Sequence, residues 1–521
     1  MMRLLYTGST SACIERINAL PYYAPEPFTV TVNGAAYGRF DSNVFSVFGL
    51  QPDTDYSVAI DAAGVHESIA FRTAPESCAI DVRSFGAAGD GVTDDTAAIR
   101  TAIQFLPDGG RLIFPKGVYC TRPLALKSHI TIELQKDAVL LGSADRSRYP
   151  VLPGFVPDQN GTELPYGTFE GVVRPMYASL LTAIHAEDIA IVGEGALDGN
   201  AQNSDFWTNF ENFEPARPRL VYFCECKNVT MHGFTAKNSP SWNFHPFHCE
   251  NVSFYQLFIQ APKDSPNTDA IDPEACDGVQ IIGCRFSVGD DCIAIKSGKI
   301  DLAKRYQWPA DHHTVRNCLM EFGHGAVTLG SETAMGIRNL TVEQCRFHAT
   351  DRGLRIKTRR GRGRDCNITG VAFENIRMDA VKTPVVINMW YNCCDPDRFS
   401  EYVWSRESLP VDDRTPHLGT FRFSDMVCTD AQAAACYIDG LPEMPIDEVT
   451  FERVRIAFSP DAAPAIPAMQ NFAEERCRLG LYFDNVRSVK IRDVQITGAD
   501  GDAVITRNCA QTEVVGLIKE P

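Results

Sequence analysis

The chain has 521 residues, enough for a large core and a small accessory domain, and its 44% hydrophobic and 22% charged residues are ordinary for a globular protein. Its net charge of −17 argues against nucleic acid and anionic membranes as partners, because both bind basic surfaces. No window approaches the roughly 18 to 20 uninterrupted apolar residues that a membrane span requires.

The first twenty residues and the cysteines both bear on the cellular compartment. The start, MMRLLYTGSTSACIERINAL, has no apolar stretch followed by a small-residue cleavage site, so no signal peptide is predicted and a cytoplasmic location is expected. In that compartment the eighteen cysteines are expected to be reduced thiols. The pairs Cys224/Cys226 and Cys393/Cys394 lack the C-x₂-C spacing of structural zinc, so neither a metal nor another cofactor is predicted.

Residues 1–77 are predicted to form a small β-sandwich. Short alternating runs such as FTVTVNG and YSVAIDA are separated by turn-forming residues. Within this segment Leu50, Pro52, Thr54 and Tyr56 form the pattern L-x-P-x-T-x-Y, which resembles the tyrosine-corner segment of fibronectin type III domains. That resemblance implies that the tyrosine hydroxyl ties its strand to the preceding loop. We expect the segment to act as a spacer or packing module without a ligand of its own.

A helix is predicted between the sandwich and a long series of short strands. Thr93 and Asp94 provide a start signal. Apolar residues then follow at helical spacing, namely Ala97, Ile99, Ala102 and Ile103. A helix in this position would cap the first core layer of a solenoid.

From about residue 180 onward, short alternating strands recur in a loose repeat. The related positions are Asn228, Asn251, Gly278, Asn339 and Asn367. They are 23, 27, 61 and 28 residues apart, and the interval of 61 spans two repeats. Short strands punctuated by Asn or Gly at this period are typical of a parallel β-helix. We therefore predict an all-β chain with a right-handed parallel β-helix over residues 78–521, in which one face of each strand packs inward.

Four clusters of polar residues lie in successive repeats. They are SPNTDAID (265–272), VGDDCIAIKSG (288–298), FGHGAVTLGS (322–331) and RGLRIKTRRGRGR (352–364). Asp269, Asp290, His324 and Arg355 are 21, 34 and 31 positions apart, and each interval is about one coil of a β-helix. Because neighbouring coils lie roughly 4.8 Å apart, the clusters should stack along one face into a stripe on the order of 15 Å long.

The order N-T-D, G-D-D, G-H-G and R-I-K resembles that of the polygalacturonases of glycoside hydrolase family 28. The similarity extends over most of residues 80–395 and includes GAAGDGVTDDT near the cap and GEGALDG at 193–199. The resemblance implies hydrolysis, with inversion, of α-1,4-galacturonosyl linkages in pectin-derived chains. It also implies that Asp290 is the general acid and that Asp269 and Asp291 share the activation of water.

Such a hydrolysis needs acidic residues of two kinds. One carboxylic acid protonates the leaving oxygen, while another carboxylate activates water on the opposite face of the sugar ring. Several acids in one cleft move each other's pKa values apart, so that one keeps its proton near neutral pH. In a regular strand the adjacent Asp290 and Asp291 would point to opposite faces, so we expect a bend there, which Gly289 makes easy.

Residues around the acids are predicted to bind the substrate. Arg355 and Lys357 are two positions apart, hence on one strand face, where they suit the carboxylate of a galacturonate unit. His324 lies between two glycines and is assigned to hydrogen-bonding near the acid. Asn267, in N-T-D, and Tyr391, which matches a sugar-contacting tyrosine of the family, complete this set.

Three interpretations in this region stay open. Trp390 competes with Tyr391 for the sugar contact. The arginines of segment 359–364 form either a solvated basic turn or further substrate contacts. His245 and Trp242 precede the acids by one coil and are assigned to the cleft wall, with core packing as the alternative. The H-x-x-H spacing at His245 has no third ligand nearby, so no metal is expected there.

Other functions on the same fold are alternatives. A pectate lyase would depend on Ca²⁺ and an arginine base, a rhamnogalacturonan hydrolase tends to lose part of the N-T-D and R-x-K pattern, and an adhesin or tailspike needs no stacked acids. Stretches 142–178 and 396–418 have little strand pattern and flank the predicted catalytic coils, so they could wall off one end of the groove. We therefore expect exo cleavage of an anionic oligosaccharide. The oligomeric state is not predicted.

Overall fold

The chain forms an antiparallel β-sandwich followed by a long parallel β-helix. The computed structural model describes residues 1–62, 64–157, 160–208, 210, 214–392 and 400–521. No helix within these residues is long and apolar enough to cross a membrane. The predicted all-β class with a parallel β-helix is confirmed.

Seven strands build the sandwich. They are β1 (Met2–Thr7), β2 (Ser11–Arg16), β3 (Tyr23–Val32), β4 (Ala35–Ser42), β5 (Val44–Phe48), β6 (Asp55–Ala62) and β7 (Val65–Arg72). They form two antiparallel sheets of order β1-β2-β5 and β4-β3-β6-β7. Val30, Val47 and Ile60 pack between the sheets. The predicted tyrosine corner is present, since the backbone N–H of Gln51 donates to Tyr56 Oη at 2.9 Å.

The remaining strands follow in chain order. The first half of the β-helix contains β8 (Ala79–Asp81), β9 (Asp90–Asp94), β10 (Gly110–Phe114), β11 (Gly117–Thr121), β12 (Leu124–Ala125), β13 (Ile130–Leu134), β14 (Ala138–Gly142), β15 (Val151–Leu152), β16 (Phe155–Pro157), β17 (Glu163–Pro165), β18 (Thr168–Phe169), β19 (Val172–Val173), β20 (Met176–Tyr177), β21 (Leu181–Ile184), β22 (Glu187–Gly193), β23 (Ala196–Asp198), β24 (Val221–Cys224), β25 (Lys227–His232), β26 (Thr235–Lys237), β27 (Phe244–Phe247), β28 (Glu250–Tyr255) and β29 (Phe258–Gln260). The second half contains β30 (Asp277–Ile282), β31 (Arg285–Ser287), β32 (Ala294–Ile295), β33 (His313–Arg316), β34 (Leu319–Gly330), β35 (Ile337–Glu343), β36 (Arg346–His348), β37 (Thr350–Lys357), β38 (Asn367–Glu374), β39 (Arg377–Asp379), β40 (Thr383–Asn388), β41 (His417–Leu418), β42 (Thr420–Ser424), β43 (Val427–Ala431), β44 (Ala434–Asp439), β45 (Ile446–Phe458), β46 (Leu479–Asp484), β47 (Val486–Thr497), β48 (Asp500–Arg507) and β49 (Gln511–Glu520). The α-helices are α1 (Thr96–Phe105), α2 (Ile300–Ala303) and α3 (Glu401–Trp404), and the short 3₁₀ helices are Val82–Phe85, Arg146–Arg148 and Ala201–Asn203.

The coils stack their strands into three parallel sheets around one core. The first sheet contains β8, β10, β13, β22, β25, β28, β30, β33, β35, β38, β42, β45, β47 and β49. The second contains β9, β11, β14, β23, β26, β29, β31, the first part of β34, β36, β39 and β43. The third contains β12, β21, β24, β27, β32, the last part of β34, β37, β40, β44, β46 and β48.

Apolar residues at equivalent positions of the first sheet form the interior. Ile189, Val229, Val252 and Val279 are register partners in successive coils, and each is at most 1% exposed. Residues between them face solvent, which explains the alternation seen in the sequence. Fully burying such a side chain contributes about 1.5–3 kcal/mol, and the stack repeats this in every coil.

Most of the related Asn and Gly positions of the repeat have a left-handed backbone conformation. They are Asn228 (φ 53°), Asn251 (55°), Gly278 (72°) and Asn339 (51°). Asn251 Nδ2 also donates to Asn228 Oδ1 at 3.2 Å, so these turns are linked side by side. The prediction is wrong at Asn367, because the register places Gly370, with φ of 68°, beside Asn339.

The predicted capping helix is confirmed as α1, which begins at Thr96. Its buried residues Ile99, Ala102 and Ile103 join the same core as Leu112 of β10, so α1 covers the first core layer. Ala97, which was expected on the apolar face, is exposed.

The described part of the chain contains sixteen cysteines, all free thiols; Cys393 and Cys394 lie outside it. Some stack in neighbouring coils. The backbone N–H of Cys226 donates to Cys249 Sγ, and that of Cys249 donates to Cys276 Sγ, both at 3.4 Å. In these buried positions the thiols serve as small apolar side chains.

The sandwich packs on the β-helix through a buried polar contact. Arg316 of β33 donates to both carboxylate oxygens of Glu15 at 2.7 and 3.0 Å, and Asn317 donates to one of them at 2.8 Å. Glu15 is 2% exposed, so this charge depends on its partners in the β-helix. The antiparallel strands end at Arg72 and the parallel ones begin at β8; the domain boundary after residue 77 stays a prediction.

Candidate active site

The four polar clusters meet where the third sheet is irregular, and the backbone links them coil by coil. Ala270 N–H donates to Asp291 O at 3.1 Å, and Cys292 N–H donates to Gly325 O at 2.8 Å. Gly325 in turn pairs with Arg352 in β37. The clusters are therefore stacked on one face of the solenoid, as their spacing predicts.

Three aspartates converge in this stack. One carboxylate oxygen from each of Asp269, Asp290 and Asp291 lies within 4.8 Å of the others. The chain leaves the strand conformation at residues 289–292, which lets the adjacent Asp290 and Asp291 serve one site. Gly289 is required there because an added Cβ would lie 2.5 Å from Ser265 O. Close backbone approach, and not an unusual φ, is thus the reason for this glycine.

Asp291 lies below the surface of the site as a fixed anion. It is 0% exposed, with Arg355 Nη1 at 3.1 Å from one carboxylate oxygen and Lys357 Nζ at 2.8 Å from the other. Burial alone would raise the pKa of Asp291, but Lys357 and Arg355 outweigh it and hold the pKa well below its ordinary range. Arg355 and Lys357, predicted to bind a galacturonate carboxylate, are therefore already engaged with a carboxylate of the protein.

Asp269 has the opposite environment. It is 4% exposed, and burial together with the charge of Asp290 raises its pKa well above the ordinary value. Neighbouring carboxyls whose environments push their pKa values apart are typical of acid–base catalysis. The site thus retains a proton at a pH where isolated aspartates have lost theirs.

His324 contacts the most exposed member of the triad. Its Nδ1 lies 3.1 Å from Asp290 Oδ1, and the side chains of His324 and Asp290 are 49% and 21% exposed. The hydrogen bond to Asp290 raises the pKa of His324 above its ordinary value, so the imidazolium form extends to higher pH.

We expect this coupling to be visible by NMR. The C2 proton of His324, assigned by its loss in His324→Gln, should titrate above pH 6.5 in the wild type. In Asp290→Asn the midpoint should fall, because the neutral amide no longer favours the imidazolium ion. Equal midpoints in the two proteins would contradict the proposed contact.

A cavity of about 460 Å³ opens over the aspartates. The predicted site residues that line it are Trp242, Asn267, Asp269, Asp290, His324, Arg355, Lys357 and Tyr391. Tyr391 lies with its ring centroid 5.8 Å from Lys357 Nζ, whereas its competitor Trp390 is 1% exposed and donates to Asp439. The structure therefore places Tyr391, and not Trp390, in the lining of the cavity.

His245 is a correction to the predicted binding residues. Its side chain is 0% exposed and lies beneath Trp242, with ring centroids 4.9 Å apart, and its Nε2 contacts Glu274 at 3.0 Å. It supports the wall from below and cannot reach a ligand. In segment 359–364, Arg360 is likewise buried and paired with Glu443, so it reinforces the fold instead of contacting substrate.

Sequence reasoning missed a second charged group at the cavity, around Lys296. Its Nζ lies 3.3 Å from both Asp272 and Glu332 and 4.5 Å from the centre of the Trp242 ring. Lys296 and Glu332 line the cavity. The sequence did contain a signal. In GDDCIAIKSG the charged Lys296 directly follows the apolar run CIAI that comes after the aspartates.

One wall of the cavity comes from the predicted stretch 142–178. Its β18–β19 hairpin stacks the Phe169 ring on Trp242 at 5.7 Å, and Arg219 lies over both rings. The turn of this hairpin brings Glu170 into the cavity lining. This wall lies on the coil that precedes Asp269.

The opposite wall was not predicted. It is formed by residues 466–469, in the strandless stretch between β45 and β46. Arg352 donates to the carbonyls of Ile466 and Pro467 at 2.6 and 2.7 Å, and Asn388 donates to Met469 O at 2.9 Å. The proline- and alanine-rich sequence PDAAPAIPAMQ was the available signal. The predicted stretch 396–418 lies partly outside the described residues.

The spacing of the three aspartates would suit a divalent cation as well. However, Arg355 and Lys357 already occupy both oxygens of Asp291 and compensate its charge. The arrangement is chemically suited to holding a proton and a water molecule among carboxyl groups, next to cations that attract an anionic ligand.

Comparison with known proteins identifies relatives of this chain. A family model described as glycosyl hydrolases family 28 matches residues 170–473, and one described as rhamnogalacturonase A/epimerase, pectate lyase-like, matches residues 79–147. A probable polygalacturonase of Vitis vinifera is 30% identical over 386 residues, covering 71% of this chain and 73% of the relative. An exo-poly-alpha-D-galacturonosidase of Dickeya chrysanthemi is 27% identical, covering 66% and 64%.

Two solved structures of exopolygalacturonases align with this chain. The family 28 exopolygalacturonase of Yersinia enterocolitica aligns over 100% of this chain and 98% of its own, with a TM-score of 0.69 and 20% identity. An exopolygalacturonase of Thermotoga maritima aligns over 75% and 89%, with a TM-score of 0.63 and 27% identity. The first likeness supports the complete fold, including the sandwich.

Proposed function

Because the chain belongs to the glycosyl hydrolases of family 28, and is thus an enzyme that hydrolyses galacturonan, we propose that it acts from the chain end as an exo-polygalacturonase. The observation that supports this mode is the pair of walls around the aspartates. The β18–β19 hairpin lies on one side along the solenoid axis and residues 466–469 lie on the other. A short pocket between walls suits the end of a chain, whereas cleavage inside a polymer needs a groove open at both ends.

The proposed chemistry assigns the proton to Asp290. Asp290 is the aspartate of the triad most open to the cavity, and the proton that the raised pKa of Asp269 keeps within the cluster would pass to Asp290 before the reaction, which leaves Asp269 ionised. Asp290 would protonate the glycosidic oxygen while Asp269 receives a proton from the attacking water. Asp291, held ionised by its two cations, would favour that transfer and stabilise positive charge at the sugar carbon.

The short distances between the carboxylates bear on whether hydrolysis inverts or retains the configuration of the anomeric carbon. Inverting hydrolases usually separate their two carboxyl groups by roughly 6.5–9.5 Å, which exceeds the 4.8 Å limit found here. A retaining enzyme would need a free carboxylate as nucleophile. Asp291 is fully buried and bound at both oxygens, and Asp269 is 4% exposed. We therefore propose inversion by a water molecule that the buried carboxylates hold.

One experiment tests both proposals. A defined saturated oligogalacturonide is incubated with the enzyme, products are read by mass over time, and the newly formed anomer is read by ¹H NMR before mutarotation. We expect the chain to shorten stepwise from one end and the first product to be the β-anomer. Random internal fragments would reject exo action, and an initial α-anomer would reject inversion. Asp290→Asn provides the control for product formation without the acid.

A further inference from the structure

A second groove lies between the two parts of the molecule, on a different sheet from the active site. It encloses about 510 Å³ between residues 20–23 of the sandwich and the second sheet of the β-helix. Its lining includes Tyr23 on one side and Arg346 and Arg377 on the other. A space of this size is within the range of small-ligand sites.

The floor of the groove belongs to a line of arginines. In the register of the second sheet, Arg346 pairs with Arg377, Arg377 pairs with Val427, and Val427 pairs with Arg455. Successive coils lie roughly 4.8 Å apart, so Arg346 and Arg377 are direct neighbours of like charge. Burial lowers the pKa of Arg377, the charge of Asp425 opposes this, and the charges of Arg346 and Arg455 lower the pKa further. Repeating a positive charge on adjacent coils is unfavourable unless an anion lies between them.

The acidic residues in the groove are matched to other partners. Glu321 is bound by Arg285 at 2.5 Å, and Asp379 accepts from His348 at 2.9 Å. In the described part of the chain no carboxylate lies within 4 Å of Arg346 or Arg377, which instead contact the Tyr23 ring and backbone carbonyls. Among the described residues, the groove thus offers two guanidinium groups without an ion-pair partner, on a protein whose net charge is −17.

The sandwich side of the groove is held rigidly in place. Asn375 donates to Ala19 O at 2.7 Å, and the backbone N–H of Tyr22 donates to Gln344 O at 3.1 Å. Tyr23 is 38% exposed, and the Arg346 guanidinium lies 5.3 Å from the centre of its ring. The active-site cavity contains a similar pair, in which Lys357 lies near the ring of Tyr391. A preformed surface of this kind binds without paying much ordering entropy.

We propose that this groove is a second, non-catalytic binding site for galacturonate chains, in which Arg346 and Arg377 pair with uronate carboxylates and Tyr23 packs against a sugar ring. Guanidinium groups bind carboxylates through two parallel hydrogen bonds, and aromatic rings suit the apolar face of a sugar. The choice of galacturonate as ligand rests on the proposed function. The groove would retain a polymer near the enzyme while its end enters the pocket, which raises the local concentration of ends.

Binding stoichiometry tests the proposal. Tetragalacturonate is titrated calorimetrically into Asp290→Asn, where the chain stays intact, and we expect two molecules bound per protein. Adding Arg346→Ala and Arg377→Ala should weaken the second site by roughly tenfold or more, because each change removes a charge-assisted contact. The matched control adds Arg39→Ala and Lys136→Ala, which remove two positive charges from exposed positions and should leave both sites. Thermal unfolding of each variant confirms that it is folded.

Other results would overturn the groove as a binding site. One bound molecule in Asp290→Asn would do so. Unchanged affinity of the second site in the variant that also lacks both arginines would do so too, as would equally tight binding of neutral maltotetraose at that site. Hydrolysis by the wild type is measured in parallel. If the wild type hydrolyses galacturonan but Asp290→Asn binds a single molecule, only the proposal for the groove is rejected. If the wild type hydrolyses no galacturonan, the proposed function itself is rejected.

Discussion

Asp290→Asn is expected to lower kcat on oligogalacturonides by about 10²–10⁴-fold, the usual contribution of a general acid. Asp290 is the triad member most open to the cavity, and an amide in its place cannot deliver a proton to the leaving oxygen. Substrate affinity should change little, because the walls and the cations around the site remain. The measurement is initial-rate kinetics on a defined oligomer, with kcat and KM determined separately.

Asp137→Asn is the matched control for this loss. Asp137 lies on the surface, where it pairs with Lys116 at 3.3 Å, and the same chemical change there should leave kcat unaltered. If Asp290→Asn kept full kcat, Asp290 could not be the acid. A large rise in KM without a change in kcat would instead assign it to binding.

Lys357→Met is expected to lower the free energy of unfolding by about 3–5 kcal/mol, the usual cost of removing one partner of a buried ion pair. Lys357 is 10% exposed at its side chain and Asp291 is 0% exposed, so the remaining carboxylate would be poorly compensated. Its activity should fall as well, since one of the two cations that hold Asp291 in place is lost. Urea unfolding at several pH values measures the loss.

The pH dependence of that loss follows from the direction of the pKa shift. The folded-state pKa of Asp291 is depressed, so its contribution to stability is present above the unfolded value, near 3.8, and is lost as pH falls through the folded value. The difference between wild type and Lys357→Met should therefore be full at neutral pH and shrink only in strong acid. A difference that instead grew below pH 4 would contradict this account.

Two variants separate the ion pair from the loss of a side chain. Adding Asp291→Asn to Lys357→Met should recover only part of the stability, because the buried carboxylate is then neutral but Arg355 loses its ion-pair partner. Lys116→Met, at the exposed pair with Asp137, should cost less than about 1 kcal/mol. A double variant less stable than Lys357→Met would show that the charge of Asp291 was not the cause.

Much of the fold was predictable because it repeats. Alternation along each strand and left-handed residues such as Asn228 and Asn251 recur from coil to coil. A strand whose own pattern is weak can therefore still be predicted from the patterns of the neighbouring coils. The displaced Asn367 shows the limit: an Asn near a turn was taken for the turn itself, while Gly370 holds the position. Strand register decides between them, and it depends on neighbouring coils that a local pattern does not contain.

The sequence predicted the aspartates of the candidate site better than it predicted the contacts that these aspartates make. Spacing placed Asp269 and Asp290 on one face, and two-residue periodicity placed Arg355 beside Lys357. Periodicity gives the face of a side chain and not its depth, so the binding of both cations to Asp291 was not foreseen. The burial of His245 was missed for the same reason.

The loop walls have a consequence for how this kind of enzyme can change. More than thirty residues separate β14 from β21, yet β13 and β14 pair directly with β22 and β23 of the next coil, as though the excursion were absent. The chain that shapes the pocket is therefore an appendage, while the reacting groups are built into the repeat. Product length and cleavage mode can then diverge, in nature or by engineering, through exchange of such appendages, without any alteration to the chemistry beneath.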